Sequence, residues 1–509
     1  MENAKRVAVN TIIQYIRLIL SVLIGLYTVR VILYALGKSD YGVYDVVGGV
    51  ITVLSFIRGS LTQTSIRFLS VSLGKNDKQH TRNTFNNCFW LHFVLAFLFF
   101  IILEIAGLFL FDGILNIAEN RIDAAKWVYH CMTFSMFMDI TITPFMALII
   151  AHEKFIYTAF ITILDSLLKL SIAFIIKNVL SDKLIVYAIL MSLIVATHAF
   201  LYIIYVFYKY KNEISFSRPK VSGIKSVTGF AGWTVLDVLG SIATRQGYAI
   251  ILNRFFGTII NAAFAISRQI EGHIFTISAS VIDTMKPQIM KSYGAGNLKR
   301  MFRLSMTAGK FGFSMMSIIA IPLIVMMPSV LNLWLVEVPE YTVNISRIIV
   351  FASLGEQITR GLVHACQATG NIKKFSLYVS IARISALPLS VLMLILGQPL
   401  MTVFYVFLAC ELLGSALRIV IMHSISSFEY KDFFKSVIYK IFIPFFLASL
   451  VCVLIYNYKD NIYWIIINGV VTACVYISFF YLFGLTSEEK KDIVKILKKR
   501  TLKKTDYDE

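Results

Sequence analysis

Residues 11–36 read TIIQYIRLILSVLIGLYTVRVILYAL, twenty-six positions whose only charges are Arg17 and Arg30. As a helix rising about 1.5 Å per residue, this run is longer than the ~30 Å hydrocarbon core of a bilayer requires. Lys5 and Arg6 precede it, as basic residues precede a secretory leader. The run is too long for one, however, carries two arginines and lacks a small-residue cleavage site, so it reads as a retained first membrane helix. Similar runs recur as far as Phe483, at 43–72, 86–111, 125–150, 155–180, 184–208, 228–253, 259–289, 304–330, 342–369, 374–397, 400–424, 437–456 and 461–484. The prediction is an all-α polytopic membrane protein with about 14 transmembrane helices. The composition agrees: 58% of the 509 residues are hydrophobic and 15% charged, where a soluble chain is about a quarter charged.

Charge placement tests that count. With an internal N-terminus, alternate connections should collect the Lys and Arg. About 29 basic residues fall on the inner set, from Lys5 and Arg6 to the tail Lys490–Lys504, against about seven on the outer set (Lys38, Arg121, Lys126, Lys177, Lys183, Arg254, Lys459). Both termini are therefore expected in the cytoplasm. The formal net charge of +19 is then mostly inner loop and tail, suited to anionic membrane lipids. Nucleic-acid binding is excluded, since the charge is divided among short loops rather than gathered on one face. The six cysteines are scattered through apolar segments without metal-ligand spacing, and read as small buried thiols. No cofactor or metal is implied.

Sliding the chain against itself exposes an internal repeat at an offset of 220 residues: Ser21 meets Ser241, Gly37 Gly257, Tyr44 Phe264, Gly74 Gly294 and Lys154-Phe155 Lys374-Phe375. The repeat defines two equivalent lobes of six helices each, 1–208 and 228–429, joined by a cytoplasmic linker at 209–227. Helices at 430–484 and a basic tail at 485–509 follow. An even number of helices per lobe makes the repeats parallel, an arrangement found in transporters that work by alternating access.

Charges inside the spans point to the cargo. There are twelve basic residues (Arg17, Arg30, Arg58, Arg67, Lys169, Arg245, Arg268, Lys310, Arg347, Arg360, Arg383, Arg418) against eight acids (Glu104, Asp139, Asp165, Asp237, Glu271, Asp283, Glu356, Glu411). Each costs about 2.5–3.5 kcal/mol to insert, so most should face protein or a wet cavity, and the positive excess suits an anion. Asp165 and Lys169, one turn apart, should pair. Arg30 and Arg67 sit near helix ends and should snorkel to the interface. Glu411 and Arg418 share a helix face, and Glu356, Arg360 and His364 form a polar stripe. Arg17 and Arg58 lack an acid one turn away, and Arg268 has only Glu271. These three, with Arg245 and Arg360, are the candidate substrate contacts, because the guanidinium fork donates two hydrogen bonds to phosphate at once. Asp237, Glu271 and Glu356 are the candidate sites for a coupling cation.

The stretch Leu36-Gly37-x-x-Asp40-Tyr41-Gly42-x-Tyr44, followed by Arg67-Phe68 and the turn Gly74-Lys75-Asn76-Asp77, resembles the Wzx-type polysaccharide flippases. These belong to the multidrug/oligosaccharidyl-lipid/polysaccharide exporter (MOP) superfamily, together with the MATE drug exporters and the lipid II flippase. The resemblance implies an undecaprenyl-pyrophosphate-linked oligosaccharide repeat unit as substrate. It would be flipped to the outer leaflet of a bacterial inner membrane for O-antigen, capsule or exopolysaccharide synthesis, with a polysaccharide polymerase and chain-length proteins as partners. It also implies arginines on helices 1, 2 and 8, where Arg17, Arg58 and Arg268 stand. Two rivals are a cation-coupled MATE-type drug exporter and a membrane polymerase or ligase. The short outer loops and the lack of a nucleophile–base pair argue against an enzyme.

Overall fold

The computed structural model describes residues 2–52, 55–111, 115, 117–219, 221–456 and 462–491; Lys459 and the tail beyond residue 491 lie outside them. The first half is built from α1 (Glu2–Thr52), α2 (Ser55–Gly74), α3 (Lys78–Phe109), α4 (Ile122–Thr141), α5 (Thr143–Ala151), α6 (Phe155–Lys177) and α7 (Lys183–Tyr210). α8 (Val221–Gly294) then leads to α9 (Leu298–Val325), α10 (Met327–Trp334), α11 (Thr342–Thr369), α12 (Lys373–Ile384), α13 (Ala386–Ile395) and α14 (Leu400–Ile425). A short α15 (Tyr430–Phe433) precedes α16 (Tyr439–Ile455) and α17 (Ile462–Phe479). No strand occurs among the described residues.

Eleven helical stretches are long and apolar enough to cross a membrane. The sequence predicts fourteen, and three differences account for the gap. α1 runs without interruption through its first expected span into the second, which α2 completes. α8 holds two expected spans in 74 residues. α11 has spanning length but carries Arg347, Glu356 and Arg360. The expected breaks at residues 37–42 and 254–258 are kinks rather than loops. Gly37 sits at φ 81°, ψ 166° and Gly257 at φ 78°, ψ −167°. That region is open to glycine and strained for other residues, so a glycine bends each helix in the same way, 220 residues apart.

The same offset relates two turns. α2 ends at Gly74, Asn76 takes a positive φ of 56°, and Asp77 caps α3 by accepting His80 N–H at 3.0 Å. α8 ends at Gly294, Gly296 takes φ 74°, and Asn297 caps α9 by accepting Arg300 N–H at 2.9 Å. Both side chains satisfy helix N–H groups that have no carbonyl partner in their own helix.

The chain forms two compact units, Asn10–Val235 with Gly294–Gly296, and Leu236–Tyr293 with Met1–Val9 and Asn297–Glu509. The first is packed around apolar clusters such as Leu103, Val128, Tyr129 and Leu184. Its resemblance motif has a structural task. Arg121 binds Asp40 and Asp182, each at 2.5 Å, and Tyr44 meets Tyr187 edge-on at 4.8 Å between ring centres. In the second unit α9 and α11 cross where Gly309 and Gly361 let their backbones touch; a Cβ on Gly361 would strike the Ser305 carbonyl. α16 and α17 pack on α9 through Ile321, Ala448, Cys452 and Tyr476. There Lys310, 2% exposed, is held by Glu489 at 2.5 Å. Large apolar side chains such as Leu26, Ile101, Phe200 and Leu454 are exposed along the helices, as expected where the solvent is lipid.

One expectation needs correction: Cys474 is exposed and Cys131 only partly buried, unlike Cys88, Cys366, Cys410 and Cys452. The Arg67 guanidinium lies over the rings of Phe68 and Phe230, at 4.3 and 5.2 Å.

Candidate functional site: an arginine–glutamate cavity

The site is set by how α8 and α11 run together. Ser267 bonds Ser346 (2.8 Å), Ser353 donates to Glu271 (2.6 Å), and Asp283 faces His364 (3.7 Å). The two residue numbers advance together, so the second half of α8 lies parallel to α11. Polar residues spaced by whole turns along each helix therefore meet their counterparts on the facing helix.

Beside these contacts lies a cavity of about 230 Å³, lined by four arginines (Arg245, Arg268, Arg360, Arg383) and three glutamates (Glu271, Glu356, Glu411). Tyr248, Phe264, Phe275 and Phe407 supply aromatic wall. Glu356 is the meeting point. Its Oε1 accepts a hydrogen bond from Arg418 at 3.3 Å and forms ion pairs with both Arg360 and Arg383 at 3.6 Å. Arg383 also reaches Glu411 at 3.2 Å and donates to Ser241 Oγ at 2.7 Å. Arg268 pairs with Glu271 at 3.5 Å, and the Arg360 guanidinium stacks over Phe275 at 4.4 Å, a cation–π contact. Arg245 is exposed on the cavity wall and makes no ion pair among the described residues. Guanidinium groups stay charged at any accessible pH, so the lining carries one formal positive charge more than it neutralises.

Of the eight candidate residues, Arg245, Arg268, Arg360, Glu271 and Glu356 line this cavity. Asp237 does not; it precedes the wall by one turn, its carbonyl accepting Ser241 Oγ at 3.2 Å. Arg17 and Arg58 belong to the other unit. Arg17 is half-buried on α1 and is not without a partner. Arg58 has no acid one turn away, but its NH1 binds Asp139 Oδ2 at 3.2 Å, an acid on another helix 81 positions away. Asp165 does pair with Lys169, at 3.0 Å. Glu411 and Arg418 share a face but not a bond, since Glu411 serves Arg383 and Arg418 serves Glu356. Arg383 and the aromatic wall were missing from the candidates. Arg383 has no acid one turn away in the sequence, and its partners stand on α11 and α14.

No protein-family model matches the sequence, and no curated protein is recognisably similar to it. Solved structures do match. A MATE bound to MaD3S aligns with TM-score 0.71 at 13% identity, covering 82% of this chain and 95% of that one. A MOP-superfamily transporter from Pyrococcus furiosus, described by the reverse polarity of its binding pocket, aligns with TM-score 0.68 at 13% identity over the same shares. The MATE transporter ClbM in complex with Rb+ gives 0.66 at 17% identity, over 82% and 94%. The chain thus has the polytopic membrane fold of the MATE transporters of the MOP superfamily.

Proposed function

We propose that this chain is a multi-pass transporter of an anionic, lipid-linked sugar, an undecaprenyl-pyrophosphate-linked oligosaccharide, flipped from the cytoplasmic to the outer leaflet of a bacterial inner membrane. The observation that carries the reading is the arginine-rich cavity, with Arg245 exposed and unpaired at its wall. A diphosphate offers several oxygens to guanidinium forks, while the aromatic wall gives pyranose rings an apolar face. The prenyl chain needs no polar pocket and stays in lipid. Two six-helix lobes alternate access without covalent chemistry, so the protein is a carrier and not an enzyme. A polysaccharide polymerase and chain-length proteins would take the product onward.

Transport of a fluorescent prenyl-pyrophosphate oligosaccharide across proteoliposomes tests this. Arg245→Ala and Arg268→Ala should each slow it by about tenfold or more, the scale of a lost charge-assisted bond to phosphate. Transport unaffected by both substitutions would sink the proposal.

The second reading is a cation-coupled multidrug exporter. It is favoured by the three glutamates in the cavity and by the MATE structures that share the fold. Efflux of cationic dyes from a drug-susceptible host, abolished by Glu356→Gln, would select it over the first.

A further inference from the structure

The guanidinium groups in and beside the cavity crowd onto one carboxylate, although Arg383 also has Ser241 Oγ at 2.7 Å and Arg418 has Thr359 Oγ1 at 3.3 Å. One atom, Glu356 Oε1, is the carboxylate oxygen facing Arg360, Arg383 and Arg418, at 3.3–3.6 Å, and only Arg418 is near enough to donate to it. Good charge-assisted N–H···O⁻ bonds are about 2.7–2.9 Å, so each of these is stretched. The Nε atoms of Arg268, Arg360 and Arg418 are buried and have no hydrogen-bond partner among the described residues. Glu411 adds a carboxylate, but only Arg383 reaches it. A cluster of this kind cannot lose its carboxylates and remain empty, because unopposed guanidinium groups in a low-dielectric site repel strongly. Nor does it satisfy its donors while the carboxylates are the only anions present.

We infer that Glu356 and Glu411 are built-in counter-anions: they hold the arginines of the empty cavity and are displaced from them by a multi-oxygen anion such as a diphosphate. The inference rests on the reading of the cavity as an anion site and assigns its acids a role. Loading is then an exchange of one anion for another rather than the addition of charge to a bare basic pocket. The entering group meets Arg245 and Arg268 first, then takes donors that Glu356 holds loosely. Release is helped because the carboxylates compete to return. The assignment is opposite to that of a coupling-cation site, where the same glutamates would bind the ion.

Isothermal titration of the full-length protein in nanodiscs with inorganic pyrophosphate tests it. Glu356→Gln and Glu411→Gln should each tighten pyrophosphate by about fivefold or more, the lower end of the usual coupling between competing ligands. Glu356→Asp, which keeps the charge, should stay near the parent. Should Glu356→Gln fail to fold, Glu411→Gln decides, since Glu411 holds one arginine and not three. Unchanged or weaker binding in the folded carboxamide variants overturns the counter-anion role, even where Arg245→Ala weakens binding in the parent and the anion site survives. If the parent binds no pyrophosphate, both readings fall together.

Discussion

The two compact units treat intramembrane charge differently. In the unit of residues 10–235 the ion pairs share no atom: Arg58 bonds Asp139 at 3.2 Å, and Asp165 meets Lys169 at 3.0 Å and His198 at 3.5 Å, two groups near enough to feel each other's charge but each with its own carboxylate. In the other unit they are pooled. Arg360, Arg383 and Arg418 share Glu356, Arg383 extends the network to Glu411, and the result lines a cavity. A separate pair neutralises itself and leaves little field for a ligand. A pool holds its members by mutual compromise, and its balance shifts when one ion is added or removed. The pooled unit is therefore where an anion can be bound and released.

The contrast breaks most sharply at Arg383, which is mostly buried and serves two carboxylates. Arg383→Ala strands Glu411 in low dielectric and leaves Glu356 to Arg360 and Arg418, a loss of about 3–5 kcal/mol by analogy with other buried pairs. In detergent this should read as a large fall in melting temperature. Adding Glu411→Gln to Arg383→Ala should recover a good part of the loss, because the stranded charge is gone. If Arg383→Ala melts like the parent, the pool is not holding the unit together.

How much of this was legible in the sequence depends on the distance between partners. Asp165 and Lys169 are four apart on one helix and could be paired on sight. The fourteen apolar runs were equally readable, as was the match of Gly37 to Gly257, which places a helix kink in each half. The merging of neighbouring runs into α1 and α8 was not, because a glycine that bends a helix and one that ends it look alike in a single sequence. Arg58 and Arg383 were misjudged for one reason. Their acids lie on other helices, and only the packing of those helices brings them near. The parallel seam of α8 and α11 has no local signature. Nor do Tyr248, Phe264, Phe275 and Phe407, since aromatics are 14% of the chain and most simply fill space.

A middle-sized effect belongs to Arg121, which clamps Asp40 and Asp182 at the edge of the first unit. Asp182 also caps α7, accepting the N–H groups of Leu184 and Ile185. Burial raises its carboxyl, but the Arg121 hydrogen bond and these N–H groups outweigh that and hold it below the usual range. A depressed value means that its stabilisation is present above the unfolded carboxylate value of about 3.9 and is lost as pH falls through the lower folded one. Asp182→Ala should cost about 1–2 kcal/mol near neutral pH, as for other lost caps. The melting difference from the parent should shrink below about pH 4; a difference that persists there would mean that the carboxylate charge is not the source.

The smallest effect is expected at the pair that gives the comparison its other side. Arg58 is 42% exposed and Asp139 29%, so their attraction is largely screened where water or headgroups reach them. A double-mutant cycle of Arg58→Ala and Asp139→Ala should return a coupling of about 1 kcal/mol or less, as for other accessible pairs. The same cycle on Arg383 and Glu411, whose side chains are 11% and 13% exposed, should return clearly more. The ratio of the two couplings is the informative quantity, since both cycles share one detergent and one melting assay. Equal couplings would erase the difference between paired and pooled charge. A larger value at Arg58 would reverse it, moving the anion-responsive network into the first unit.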